Sequence, residues 1–221
     1  KQWGRHPREL DASVCGRIPV RFNRDESYID APFQKMPDRG YTEMFRRMID
    51  HPRIEVVLGV DYRDYRKERS PRLATVYSGP LDEYFDFRLG RLPWRSLRFE
   101  HRAFPAEYVQ PCLQINYPGD ERHTRTVEIK HATAQKHPTT VVTYEYPSAD
   151  GDPYYPVPAP ENAVLLARYR ELAAAEERER NVFFAGRLAA YRYVNTDEAM
   201  LLALETFGRL RERLAASGRP D

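Results

Sequence analysis

The sequence predicts a mixed α/β or α+β fold in which an antiparallel β-sheet is flanked by helix–strand segments. Three observations carry this reading. Helix-period and strand-like segments alternate on both sides of the chain's middle. Four short segments rich in β-branched and aromatic residues occupy residues 95 to 147. A strand-to-helix junction follows near residue 190.

Residues 1 to 40 are rich in Arg, Pro and Asp, and Pro19, Pro32 and Pro37 interrupt any long periodic element, so helical fragments and loops are expected. From Gly40, TEMFRRMID places Met44, Phe45, Met48 and Ile49 on one helical stripe. His51-Pro52 ends that helix, and the apolar run IEVVLGV at 54 to 60 predicts a strand. A second short strand, ATVYSGP at 74 to 80, stops at the turn signal Gly79-Pro80, before the aromatic and acidic segment LDEYFDF.

RSLRFEHRAF, PCLQINYP, TRTVEIKHA and TTVVTYEYP alternate partly with period two and are separated by Pro, Gly, Asp and His. They predict the antiparallel sheet, polar on one face. After the Pro-rich GDPYYPVPAPEN comes a helix with Val164, Leu165, Leu172 and the body of Tyr169 near one face, and Arg168, Arg170, Glu171 and Glu176 on the other. NVFFAGR at 181 to 187 is a buried-strand candidate. From Asn195-Thr196-Asp197 a helix starts that is apolar nearly all round through AMLLAL, which predicts a buried beginning. A buried helix N-terminus offers unpaired N–H groups to an anion.

With 221 residues, 41% of them hydrophobic, the chain can build a sizeable core. Thirty-five Lys+Arg against 33 Asp+Glu leave a formal charge of +2, too small a field to draw it to nucleic acid or a membrane. Lysine is confined to positions 1, 35, 67, 130 and 136; every other base is arginine, whose planar fork suits bidentate phosphate recognition. Cys15 and Cys112 are too few for a disulfide framework or a thiolate zinc site, and a reducing cytoplasm fits them best. No run of about 18 apolar residues predicts a spanning helix. The sequence begins at Lys1 and its first Met is Met36, a start that reads as a cut.

Several catalytic signatures are missing: GxSxG, HExxH, the P-loop and GxGxxG. His101, His123, His131 and His137 lack ligand spacing, so no metal is expected. What stands out is arginine beside aromatics: Trp3, Arg17 and Tyr28 in the first segment, Arg125 on a predicted strand, Tyr154 and Tyr155 in a turn, and Arg187, Tyr191, Arg192 and Tyr193 after the last strand. An aromatic face can stack on a base while a guanidinium holds a phosphate, which points to a nucleotide ligand. Taken singly, each is as simply a packed edge or a solvated side chain.

KQWG at 1 to 4, RIPVRFNRDESY at 17 to 28, QKMPDRGYTEMF, YSGPLDEYFDFRLGRLPWRSLRFE, INYPGDERHTRTVEIKH, TYEYP, PYYPVP and NVFFAGRLAAYRYVNTDEA stand in one collinear order that resembles the prokaryotic UDP-galactopyranose mutase family. The resemblance covers essentially the whole chain. It implies an isomerase that interconverts UDP-galactopyranose and UDP-galactofuranose with reduced FAD. The mechanism that the resemblance implies has the flavin N5 attack the anomeric carbon as UDP leaves, with a flavin–sugar iminium that would let the ring open and reclose. Charge develops on the departing diphosphate, so arginines are needed around it.

By the same resemblance, Arg17 (on a mobile loop) and Arg125 are the catalytic diphosphate arginines, and Trp3, Tyr28, Asn116, Glu145, Tyr155 and Tyr193 complete the substrate site. Gly186, Arg187, Tyr193, Asn195 and Thr196 fall on the FAD side. The family often has Met where this chain has Thr196. The implied layout is a substrate-loop segment over 1–39, a helix–strand segment of the FAD-binding domain over 40–82, the antiparallel sheet domain over 83–158, and FAD-domain return segments over 159–221. The family's Gly-rich βαβ unit is not in these residues, so the chain reads as a C-terminal portion not expected to retain FAD or activity alone. A bacterial, cytoplasmic enzyme supplying galactofuranose to envelope polysaccharide is implied, homo-oligomeric at full length, with UDP-sugars as partners, and no nucleic acid or membrane partner expected. The alternative is a non-catalytic UDP-sugar or nucleotide-binding module.

Overall fold

The computed structural model describes residues 1–12, 14, 20–24 and 31–216. Helix α1 spans Gly40–Ile49 and α2 Tyr62–Glu68; strand β1 (Thr75–Tyr77) and helix α3 (Leu81–Tyr84) follow. Next come β2 (Trp94–Phe104), β3 (Gln114–Asn116), β4 (Arg125–Val127), α4 (Lys130–Thr133), β5 (Thr140–Ser148) and β6 (Tyr155–Pro156). Then α5 (Pro160–Arg180), β7 (Val182–Phe184), α6 (Gly186–Ala190) and α7 (Thr196–Ala216) complete the order. The mixed α/β class and the antiparallel middle are as predicted.

The chain forms two compact units, one of Lys1–Arg5, Ala12–Gly59 and Leu97–Ser148, the other of His6–Asp11, Val60–Ser96 and Ala149–Asp221. In the first unit, the strands run in the order β3-β4-β5-β2. Asn116 pairs with Arg125 and Arg125 with Glu145, while Ile115, Thr126 and Tyr144 form the next row. Because side chains alternate along each strand, these two rows face opposite sides of the sheet.

The chain after β4 is pinned by buried charge. Glu128 is fully buried and accepts N–H bonds from Val109 (3.0 Å) and Gln110 (2.7 Å). Buried Lys130 donates Nζ to the carbonyls of Glu107 (2.8 Å), Thr139 (3.3 Å) and His137. Charges so enclosed persist only with such bonds, and these hold the loops on both sides of the sheet's middle.

One expectation fails in the segment 40 to 60. Helix α1 forms as predicted, but Phe45, Met48 and Ile49 on its apolar stripe are exposed, where an apolar stripe ordinarily packs on a core. The run 54 to 60 forms no strand, and Leu58 within it is 85% exposed. A strand needs a neighbour to take its N–H and C=O groups, and none of the described strands pairs with this run, so β-branched composition alone does not create one.

In the second unit, β1 and β7 pair in parallel, Val76 opposite Phe183. Their helices close over a core of Leu81, Phe85, Leu92, Tyr169 and Tyr191, with Trp94, Leu165, Leu172 and Phe184 packed against it. The aromatic and acidic LDEYFDF is thus core-forming. Strand β2 begins here, where Trp94 and Arg95 pair with Pro156 and Tyr155 of β6. Helix α5 starts with Pro160 and ends at Asn181 in the left-handed region.

On α5 the packed stripe is Asn162, Leu165, Tyr169, Leu172 and Glu176, a repeat of three and four residues. Val164, expected on it, lies one residue and thus about 100° away, and is exposed. Glu176, expected on the solvent face, belongs to the stripe and accepts the Tyr84 hydroxyl at 3.1 Å.

The beginning of α7 also departs from expectation, since residues 195 to 198 are exposed, as are Met200, Leu201, Leu204 and Phe207. Thr206 and Leu214 are its buried residues. A helix apolar all round has more apolar surface than the one face this unit covers. Among the described residues, no helix is long and apolar enough to cross a membrane.

Gly79 shows how tightly the end of β1 is packed. A Cβ there would overlap the Tyr77 hydroxyl oxygen. The Tyr77 ring cannot swing away freely, because its centroid lies 5.1 Å from Tyr62 and 5.2 Å from Tyr84. Gly79→Ala is expected to destabilise the second unit by about 1–3 kcal/mol through overpacking, measured as a lower urea midpoint.

Candidate functional site

In the first unit, three predicted site residues form one row across three neighbouring strands. Asn116, Arg125 and Glu145 are direct cross-strand partners on β3, β4 and β5. Directly opposed residues of an antiparallel pair project from the same face, so this register alone gathers them. Arg125 Nε donates to Asn116 Oδ1 at 3.2 Å, and Gln114 Nε2 donates to the same oxygen at 3.3 Å. Arg125 Nη1 stands 3.5 Å from Glu145 Oε2, long for a charge-assisted pair.

Burial pushes the Glu145 carboxyl above its ordinary range, and the Arg125 charge opposes that rise without cancelling it. The side chain of Glu145 is only 12% exposed, whereas Arg125 keeps 32% of its own open. A guanidinium aimed by an amide and only loosely paired with a carboxyl that resists ionisation can accept a further anion.

The sign of the linked pH effect follows. A carboxyl whose folded pKa is raised contributes stability that is complete below its unfolded value and is lost as pH climbs through the folded one. Stability is therefore expected to decline as pH rises above the ordinary glutamate value of 4.5. Urea unfolding of Glu145→Gln beside the native chain across that window should show the shallower decline in the variant.

In the second unit, Tyr155, Tyr193 and Arg187 form another cluster. The two tyrosine rings stack in parallel, with centroids 5.3 Å apart and planes 7° apart. The Arg187 guanidinium lies 4.6 Å from the Tyr193 centroid and 5.9 Å from that of Tyr155. Its Nε and Nη2 both donate to the Val194 carbonyl (3.2 and 2.5 Å), and Nη1 donates to the Tyr154 carbonyl at 3.3 Å. Arg187 thus ties the chain beside Tyr155 to the chain beside Tyr193. Strand β6 buries Tyr155, and Tyr193 is half-buried.

Gly186 opens α6 with φ +87°, in the left-handed region that glycine tolerates. Asn195 and Thr196 are exposed, and the Asn195 N–H donates to Glu198 Oε2 at 2.7 Å. The buried anion site expected at the start of α7 is replaced by an exposed turn capped by its own carboxylate.

Trp3 is half-buried in the first unit. Arg17 and Tyr28 lie outside the described residues. Sequence reasoning missed Gln114, which steadies the Asn116 oxygen, and the Val194 and Tyr154 carbonyls that hold Arg187. Gln114 was recoverable from period two, since it sits two residues before Asn116 on the same face. The carbonyls left no signal, because a backbone acceptor has no side-chain identity.

A family profile described as UDP-galactopyranose mutase matches residues 1–193. "Probable UDP-galactopyranose mutase" of Klebsiella pneumoniae is 39% identical over 211 residues, covering 93% of this chain and 53% of that protein. The dTDP-fucopyranose mutase of Escherichia coli is 36% identical over 214 residues, covering 93% and 56%. The UDP-galactopyranose mutase of Mycoplasma pneumoniae is 34% identical over 222 residues, covering 92% and 55%. The chain spans about half the length of the curated relatives it matches.

Proposed function

We infer the function of this chain from its kinship: it belongs to the UDP-galactopyranose mutase family. The reading is an isomerase that interconverts UDP-galactopyranose and UDP-galactofuranose, to which these residues contribute the diphosphate clamp and part of the flavin surroundings. The observation that carries it is the Asn116–Arg125–Glu145 row, a half-open guanidinium fixed on a sheet face.

In this reading Arg125 holds a diphosphate oxygen, and its hold strengthens as negative charge builds on the departing group. Asn116 aims Arg125 through its amide oxygen. Glu145, its carboxyl pushed above the ordinary range by burial, faces the sugar hydroxyls. In the second unit, Tyr155 and Tyr193, with Arg187 beside both rings, are the tyrosines that the family resemblance assigns to diphosphate binding. Arg17 acts as the second cation, Trp3 serves the uridine, and Tyr28 serves the diphosphate beside Arg17.

The FAD side falls to Gly186, Arg187, Tyr193, Asn195 and Thr196. Gly186 lacks a Cβ at a positive φ, and Asn195 and Thr196 are exposed residues, which is compatible with one edge of a flavin here. The dinucleotide fingerprint GxGxxG does not occur in the sequence, so the pyrophosphate cradle is not among these residues. Reduced FAD, when bound, supplies the nucleophile that lets the sugar ring change form without net redox change. Of the expected layout, residues 97–148 would serve as the sheet domain and 60–82 and 159–221 as parts of the FAD domain, while 83–96 and 149–158 fall with the latter unit and 40–59 with the sheet unit. A homo-oligomer working in a bacterial cytoplasm, supplying galactofuranose to envelope polysaccharide, completes the proposal.

The names of the relatives leave the base and sugar as the open specificity, since one is a dTDP-fucopyranose mutase. Calorimetry of the 221-residue chain with UDP and with dTDP tests the reading. Binding of UDP at about 1 mM or tighter, with dTDP weaker, supports it; no heat from either nucleotide at that concentration ends it.

A further inference from the structure

We propose that the first unit carries a second anion site, on the sheet face opposite Arg125, that takes the phosphate group of a small phosphorylated ligand. This proposal does not rest on the mutase reading. Along β5, Glu145 faces Arg125, so Tyr144 and Tyr146 project from the other face. Arg98, Glu100 and Arg102 alternate in the same way on β2 and reach those tyrosines. The Arg98 guanidinium lies 4.1 Å from the Tyr146 centroid, and that of Arg102 lies 4.3 Å from the Tyr144 centroid.

These side chains lock one another. The Tyr146 hydroxyl donates to Glu100 Oε2 at 3.0 Å, and Arg102 Nε donates to Glu100 Oε1 at 2.7 Å. The Glu100 carboxylate is thereby engaged on both oxygens, and the hydrogen bond from Arg102, then that from Tyr146, hold it below the usual carboxylate range. Arg98 is held against its tyrosine by this cation–π contact, a pre-organised cation.

Beside this lattice is a recess of about 310 Å³ lined by Arg98, Arg122, Tyr146, Pro147 and Ser148. It has two guanidinium groups and no carboxylate. The turn that carries Arg122 is fixed by the neighbouring His123, whose ring lies 4.3 Å from Tyr117 and 5.2 Å from Tyr144. An adjoining cavity of about 470 Å³ shares Arg98, Arg122 and Tyr146, but Glu121 stands on its wall. The acid-free recess is therefore the seat for the anion, and its volume suits a phosphate with a small substituent better than a whole nucleotide. Two forks converging on one tetrahedral oxyanion give the charge-assisted, bidentate contacts that arginine makes best.

The test uses inorganic phosphate and the full chain with Arg125→Ala, which disables the first face. Calorimetry at low salt is expected to detect phosphate binding in that background, and adding Arg122→Ala should weaken it about tenfold. Arg98→Ala should weaken it to a similar degree. Arg122 is exposed on a turn, so an unchanged melting temperature is expected to accompany its loss of affinity. No phosphate binding in the Arg125→Ala chain, or binding that Arg122→Ala and Arg98→Ala leave intact, overturns the proposal.

Discussion

Tyr169→Ala is expected to leave the second unit largely unfolded under conditions where the native chain is folded. Tyr169 is 0% exposed at the centre of the core, with its ring 5.9 Å from Phe85. Truncating a buried aromatic ring costs about 3–5 kcal/mol by analogy with phenylalanine and tryptophan. The hydroxyl adds to this, because it donates to the Gly90 carbonyl at 2.7 Å and accepts the Leu89 N–H at 3.1 Å. Leu89 is half-buried and Gly90 exposed, so water can take over these partners and each lost bond costs about 0.5–1.5 kcal/mol more. Against a domain stability of about 5–15 kcal/mol, the sum reaches the limit. Tyr169→Phe keeps the ring and should lose only the hydrogen-bond part. Fluorescence of Trp94, which meets Tyr191 edge-on at 4.9 Å, reports the transition in urea.

Arg125→Ala is expected to weaken UDP binding about thirty-fold while leaving the fold intact. Removing one partner of a desolvated charge pair costs about 2–5 kcal/mol, and the lower end applies because Arg125 is a third exposed. The pair it forms with Glu145 is long at 3.5 Å and Arg125 itself is a third exposed, so stability should change by about 1 kcal/mol. Asn116→Ala should cost several-fold less in affinity, since it aims the guanidinium instead of touching the ligand. Calorimetry on the two variants separates the effects, and equal losses would mean that Asn116 binds directly.

The sheet was legible because each of its segments is short, alternating and bounded by turn residues, as in TTVVTYEYP. The fact that Asn116, Arg125 and Glu145 fall in one row was not. Register depends on which residues of two strands face each other, and one sequence holds that only implicitly. The residues themselves came from the family resemblance, not from spacing. The run 54 to 60 misled for the opposite reason: its composition is that of a buried strand, but a strand exists only with a neighbour. The same holds for α7, where an apolar sequence predicted burial and Met200, Leu204 and Phe207 are exposed. The resemblance implies a flavin-proximal Arg187, and the carbonyls of Val194 and Tyr154 occupy its N–H groups in ways no side-chain pattern announces. Glu128 and Lys130 passed as part of a family motif, although burial makes them structural pins.

The central claim is that a nucleoside diphosphate sits on the Asn116–Arg125–Glu145 face. Titrating UDP into uniformly ¹⁵N-labelled chain and following side-chain resonances tests it most directly. The account predicts that the Arg125 Nε–H and Asn116 side-chain amide signals move first and saturate together, while Arg98 and Arg102 on the opposite face move less. Saturating shifts at Arg98 and Arg122 with Arg125 and Asn116 unmoved would contradict it.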